Sequence, residues 1–219
     1  MLYKEWIKTR WYLLAAFAVL GGFAGYALVQ LPRAAPRMGA GHVWEVMVTR
    51  NAVFIDQMEY LPLLVGLLLA AVQFVPEMQR KCLKLTLHLP VPALATLTAM
   101  VGCGTAALLL LFGLCILLLA AGASPVLPHE LVWNILSTAL PWCLAGVAAY
   151  LFGAGTILEP TWKRRLVNIL MSVLLLRICV LAPVPRAYGG FLPVLALLTL
   201  ASAALSWLSV VRFMAGRQD

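Results

Sequence analysis

Charged side chains are scarce in this sequence: Asp, Glu, Lys and Arg make up 11% of 219 residues, against 63% hydrophobic ones. A soluble domain carries roughly 25% charged and about 45–50% apolar residues. With a mean hydropathy of +0.97, the chain has lipid as its solvent. Histidine is rarer still, with His42, His88 and His129 all outside the long apolar runs. An intramembrane protease or metalloenzyme needs ionisable groups at bilayer depth, yet there is no His-Glu-x-x-His and no paired-Glu motif. Ser137, Ser172, Ser202, Ser206 and Ser209 have no base nearby in sequence. No Gly-x-x-x-x-Gly-Lys-Ser/Thr loop occurs, so no ATP chemistry is expected in this chain. Of five cysteines, Cys103, Cys115, Cys143 and Cys179 lie in apolar runs and Cys82 in a basic segment. That placement implies neither a disulfide framework nor metal-ligand spacing. The chain is read as a non-enzyme, with no metal and no cofactor of its own.

What is present is a series of apolar runs near the length of about 20 residues at which a helix crosses a hydrocarbon core of about 30 Å. They cover about 12–31, 60–75, 93–121, 131–158, 166–182 and 191–211. The runs are continuous, not alternating, which argues against a membrane barrel. The expected fold class is an all-α membrane protein with six transmembrane helices, a single transmembrane domain over 1–219. The spans take up more than half of the chain and leave no room for a soluble domain. The first run is longer than a signal-peptide core and lacks a well-spaced small-residue cleavage site, so it reads as a retained helix.

Orientation follows from the cations. Lys4, Lys8 and Arg10, then Arg80, Lys81 and Lys84, then Lys163, Arg164 and Arg165, then Arg212 and Arg217 fall on one side of a six-span chain. The other side holds Arg33, Arg37, Arg50 and Arg186. The richer side is the cytoplasm, with both termini there, and the membrane is the cell inner membrane. The net charge of +8 reflects topology and attraction to membrane lipids, not nucleic acid.

Two segments are more than spans. Met1–Trp11 mixes charges with Trp6 and Trp11, as in a short amphipathic helix at headgroup level or an anchoring flank for span one. In Pro76–Pro90, Arg80, Lys81, Lys84 and His88 fall within an arc of about 100° at helical periodicity, with leucines over the rest. The pattern suits an amphipathic helix on the inner membrane surface; the other reading is a basic cytoplasmic loop that only sets topology. Leu83 to Leu89 also alternates as a strand would, but a lone strand here would have no partner for its backbone groups.

An amphipathic amino end, six spans and a short cytoplasmic helix between spans two and three, opened by Glu77 and closed by Leu89-Pro90-Val91, resemble the permease subunits of ATP-binding-cassette (ABC) transporters of the type-2 exporter class. The resemblance covers most of the chain, which is small for the family and has a short Pro183–Gly190 connection. A haem-export-type membrane subunit has similar length and span number. The resemblance implies that Glu77, Arg80, Lys84, Thr86, His88 and Pro90 form or border a coupling helix docked on a separate ABC ATPase subunit, which binds the ATP and Mg. It also implies a second membrane subunit, in a homo- or heterodimer. Gly21 and Gly25, with Gly102, Gly104, Gly153 and Gly155, suit close helix approach between or within subunits.

Arg177 is the one charge well inside a span. It lies roughly 8 Å from the span's end at helical rise, within reach of the outer surface by snorkelling; the other reading places it in a substrate path or in an ion pair with Glu130 or Glu59. The long first outer loop, with Val43–Glu59 as a helical extension of span two, leaves open an alternative function. In it, a non-transporting subunit passes ATPase-driven motion to an extracytoplasmic partner. The apolar spans suit a hydrophobic or amphipathic cargo.

Overall fold

A computed structural model describes residues 2–38, 55–79, 93–181 and 187–214. Among these residues there are six α-helices: α1 (Leu2–Met38), α2 (Leu61–Gln79), α3 (Ala93–Ala123), α4 (His129–Leu158), α5 (Trp162–Cys179) and α6 (Leu192–Met214). A single 3-10 turn, Asp56–Met58, precedes α2, and no strand occurs among the described residues. All-helical architecture is the expected outcome for a chain with lipid around it, because a helix satisfies its own backbone groups where water cannot.

Five of the helices contain stretches long and apolar enough to cross a membrane: Tyr3–Gln30, Asp56–Gln79, Ala95–Ala123, His129–Leu158 and Leu192–Ser209. The helix expected as span five does form, but it is not among them. Its 18 residues include Lys163, Arg164, Arg165 and Arg177, which breaks the apolar run. It also ends at Cys179, short of the expected 182.

Prolines terminate helices less often than the sequence suggests. Span two was expected to stop before Pro76, yet α2 continues through Pro76 to Gln79. Likewise α1 runs past Pro32 to Met38. Each proline forfeits one backbone hydrogen bond, a loss that membrane helices tolerate. The amino-terminal segment is also not a separate surface helix. Leu2 to Met38 is one continuous helix, roughly 55 Å long at about 1.5 Å per residue, longer than a bilayer core. The expected helical extension over Val43–Glu59 lies largely outside the described residues; its end is the 3-10 turn.

Helix α4 is the hub, packing against α2, α3, α5 and α6. Of its apolar stretch, 78% is buried, against 22–44% in the other four. Small residues make this possible. A Cβ added at Gly66 of α2 would sit 1.9 Å from the Gly146 carbonyl oxygen of α4, and one at Gly153 would sit 2.9 Å from the Ala70 Cβ. Gly155 lies close to the α6 backbone at Ser206, whose hydroxyl donates to the Leu151 carbonyl at 3.3 Å. The Gly66–Gly146 crossing is absent from the glycines singled out by spacing. By contrast Gly21, Gly25 and Gly102 have nothing within 4 Å of an added Cβ, so they do not mediate close packing among the described residues of this chain.

Helix α1 closes the bundle against α3 and α2; the Tyr12 hydroxyl donates to the Val65 carbonyl at 2.6 Å. The core joining these helices is built on Leu20, Leu69, Phe74, Leu108, Leu119 and Leu158. Helix α5 is peripheral. Val167, Leu170, Val173 and Leu174 are exposed on it.

Because α2 and α4 touch backbone to backbone, Gly66→Ala is expected to destabilise the protein by about 1–3 kcal/mol through overpacking. Gly21→Ala is expected to leave it unchanged. Thermal unfolding of the two variants in detergent compares them directly.

Candidate functional site

The starts of α1 and α3 and the ends of α2 and α4 meet at one end of the bundle, and the buried polar side chains concentrate there. In α2, Gln73 and Glu77 are four residues apart and so share a face. In α1, Glu5 and Lys8, three residues apart, also share a face. Glu77 is only 2% exposed; it accepts from Lys4 Nζ at 2.8 Å and from Lys8 Nζ. Lys8 also reaches Glu5 Oε1 at 3.1 Å. Glu5, itself buried, accepts at Oε2 from Gln73 Nε2 at 2.9 Å.

From Gln73 the chain of contacts passes into the other two helices. Gln73 Nε2 also donates to the Met100 carbonyl of α3 at 2.8 Å, and Gln73 Oε1 accepts the Tyr150 hydroxyl of α4 at 2.8 Å. Both amide protons and the amide oxygen are thus in use, so the fully buried Gln73 and Tyr150 carry no desolvated group left over. Gly104 makes room for them: a Cβ there would lie 2.1 Å from the Tyr150 oxygen and 2.7 Å from Gln73 Oε1. Glu77 Oε2 is the exception, a buried acceptor without a partner among the described residues.

A third buried carboxylate sits at the same end, just beyond α4. Glu159 is fully buried and accepts from Arg212 Nη1 at 2.8 Å, Ser209 Oγ at 2.8 Å and Thr161 Oγ1 at 2.8 Å. Arg165 Nη2 donates to the Glu159 carbonyl at 2.8 Å. Burial by itself pushes the Glu159 carboxyl up. The hydrogen bonds from Ser209 and Thr161 and the Arg212 charge outweigh it, so the group stays below the usual carboxylate range. This cluster joins α6 to the α4–α5 connection.

Comparison with protein-family models, with curated proteins and with solved structures finds no match. The reading of this site therefore rests on its own geometry.

Of the residues singled out from sequence, Glu77 lies in the last turn of α2, held by two lysines of α1. Arg80, Lys84, Thr86, His88 and Pro90, the rest of the expected coupling helix, lie outside the described residues. Arg177 is exposed in the last turn of α5, and Glu130 is exposed in the first turn of α4. Glu59 is half-buried after the 3-10 turn. Among the described residues no ion pair joins Arg177 to Glu130 or Glu59. No group of three metal-ligating side chains occurs among them either. Gln73, Tyr150 and Glu159 were missed from sequence. The signal was available for two of them, since an amide and a phenol in otherwise apolar spans need partners at that depth.

Two outcomes follow. Tyr150→Phe removes the donor that satisfies Gln73 Oε1 and is expected to cost about 1–3 kcal/mol in thermal unfolding. For Glu159, a folded-state pKa below the unfolded value of about 4.3 means that its contribution is complete above that pH and is lost as pH falls through the folded value. The stability difference between wild type and Glu159→Gln is therefore expected to be constant from neutral to mildly acidic pH and to shrink below about pH 4. A difference that grows on acidification would contradict the assignment.

Proposed function

We propose that this chain is the permease subunit of an ATP-driven exporter of the ABC type-2 class. It works in the cytoplasmic membrane as one of two membrane subunits and moves a hydrophobic or amphipathic substrate. The observation that carries the reading is where the polar network sits. Segment 80–90 leaves directly from the end of α2, whose last turns hold Glu77 and Gln73. Through those two residues α2 is tied to α1, α3 and α4. A force applied to segment 80–90 by an ATPase subunit would enter a set of helices already joined by charge and hydrogen bonds at that end. The ATP and Mg belong to the ATPase, and this chain performs no hydrolysis.

Six spans with cytoplasmic termini fit this role, and α5 can serve as the fifth. Lys163, Arg164 and Arg165 lie in its first turn, at the end where Glu159 and Arg212 meet, and Arg177 lies in its last turn. Between them the residues are apolar except for Asn168 and Ser172, and 18 residues of helix reach roughly 27 Å, close to the thickness of a hydrocarbon core. Cations at both ends of a short helix can reach the two interfaces. The basic residues of the network end then face the cytoplasm.

Purification from the native membrane in mild detergent, followed by mass spectrometry of what accompanies the protein, tests the reading. An ABC ATPase is expected to co-purify and to be lost from the variant carrying Arg80→Glu and Lys84→Glu, while the variant still folds. Absence of any ATPase, under conditions that preserve known membrane complexes, would overturn the proposal.

A further inference from the structure

Helices α1 and α3 part along one side of the bundle and leave a lateral groove of about 1050 Å³. Its α3 wall has small residues, Ala106 and Ala107, followed by Leu110 and Leu114. Its α1 wall has Leu14 and Phe17, then Arg10, Trp6 and Trp11 toward the amino end. From Cys103 to Leu114 the groove follows α3 for roughly 16 Å at about 1.5 Å per residue. That is about half of a hydrocarbon core, the depth of one leaflet and not of a passage through the membrane.

Charge at the groove's mouth is of one sign. Glu5 and Glu77, the carboxylates at this end of α1 and α2, turn into the bundle and are neutralised by Lys4 and Lys8. Arg10 is exposed at the mouth. Its guanidinium lies 5.5 Å from the centre of the Trp11 ring, and no carboxylate among the described residues pairs with it. A cation flanked by indoles above an apolar trough one leaflet deep is the arrangement that an anionic amphiphile completes: headgroup on Arg10, acyl chain along Ala106 and Leu110.

We infer that the groove between α1 and α3 is a binding site for an anionic phospholipid of the surrounding bilayer, selected by Arg10. The inference does not depend on the transport reading, since it concerns the subunit alone. The test is native mass spectrometry of the purified protein with equal amounts of dioleoyl phosphatidylglycerol and dioleoyl phosphatidylcholine. The wild type is expected to retain the anionic lipid roughly fivefold more than the zwitterionic one, the effect of about one cation at a membrane surface. Arg10→Gln is expected to abolish that preference while still binding lipid. Ala106→Phe, at an exposed position, is expected to fill the trough and lower retention of both lipids with the thermal stability unchanged. Equal retention of the two lipids by the wild type would overturn the inference. So would an Ala106→Phe protein that changes its oligomeric state with lipid retention intact, because a second copy would then occupy the groove.

Discussion

Besides Glu5, two buried carboxylates at one end of the bundle, Glu77 and Glu159, set a condition that the surrounding helices must meet. A charge removed from water is tolerated only when opposite charges and hydrogen bonds close around it, and each of these draws its partners from a different helix. Glu77 takes Lys4 and Lys8 from α1; Glu159 takes Ser209 and Arg212 from α6. Gln73 extends the first cluster to α3 and α4 through the Met100 carbonyl and Tyr150. Every helix except α5 is fixed to another at this end by a side chain that could not remain there unpartnered, and α5 is held through Arg165 and the Glu159 carbonyl.

Away from that end, close packing takes over from polar pairing. Lipid tails are as apolar as the helix surfaces, so helix association depends on backbone approach and shape. The α2–α4 crossing at Gly66 and Gly146 and the α4–α6 contact at Gly155 supply it. The result is a bundle whose centre, α4, is held by small residues while its basic end is held by charges. Motion of α1 or α2 at the basic end is therefore coupled to the charge clusters first and to the core second.

Much of this was legible in the sequence. Continuous apolar runs located the six α-helices among the described residues, and five of them have the length and apolarity that bilayer thickness requires. Helix ends were less legible. The spans were expected to end at 31 and 75, just before Pro32 and Pro76, yet both prolines lie within helices, because a membrane helix tolerates the loss of one backbone hydrogen bond. Span five was read over 166–182 as equal to the others, but four cations in the 18 residues of its helix set it apart. The candidate site was only partly visible. Glu77 was singled out for a docking role, while its pairing with Lys4 and Lys8 depends on how α1 packs beside α2, which periodicity within either segment does not encode. Gln73 and Tyr150 are far apart in sequence and become partners only across α2 and α4. Glu159 could be read as a loop charge, and nothing local to it announces that α6 returns Ser209 and Arg212 to its side.

The functional account depends on α1 and α2 behaving as one unit where segment 80–90 begins. The most direct test is a double-mutant cycle on Lys8→Met and Glu77→Gln, measured by thermal unfolding in detergent. If the pair joins the two helices, each single change leaves a partly buried charge exposed to a poorer environment, and the double variant is more stable than the summed single effects by more than about 1 kcal/mol. Strictly additive effects would contradict the account, because the two side chains would then contribute independently and the charge contact would not hold α1 to α2.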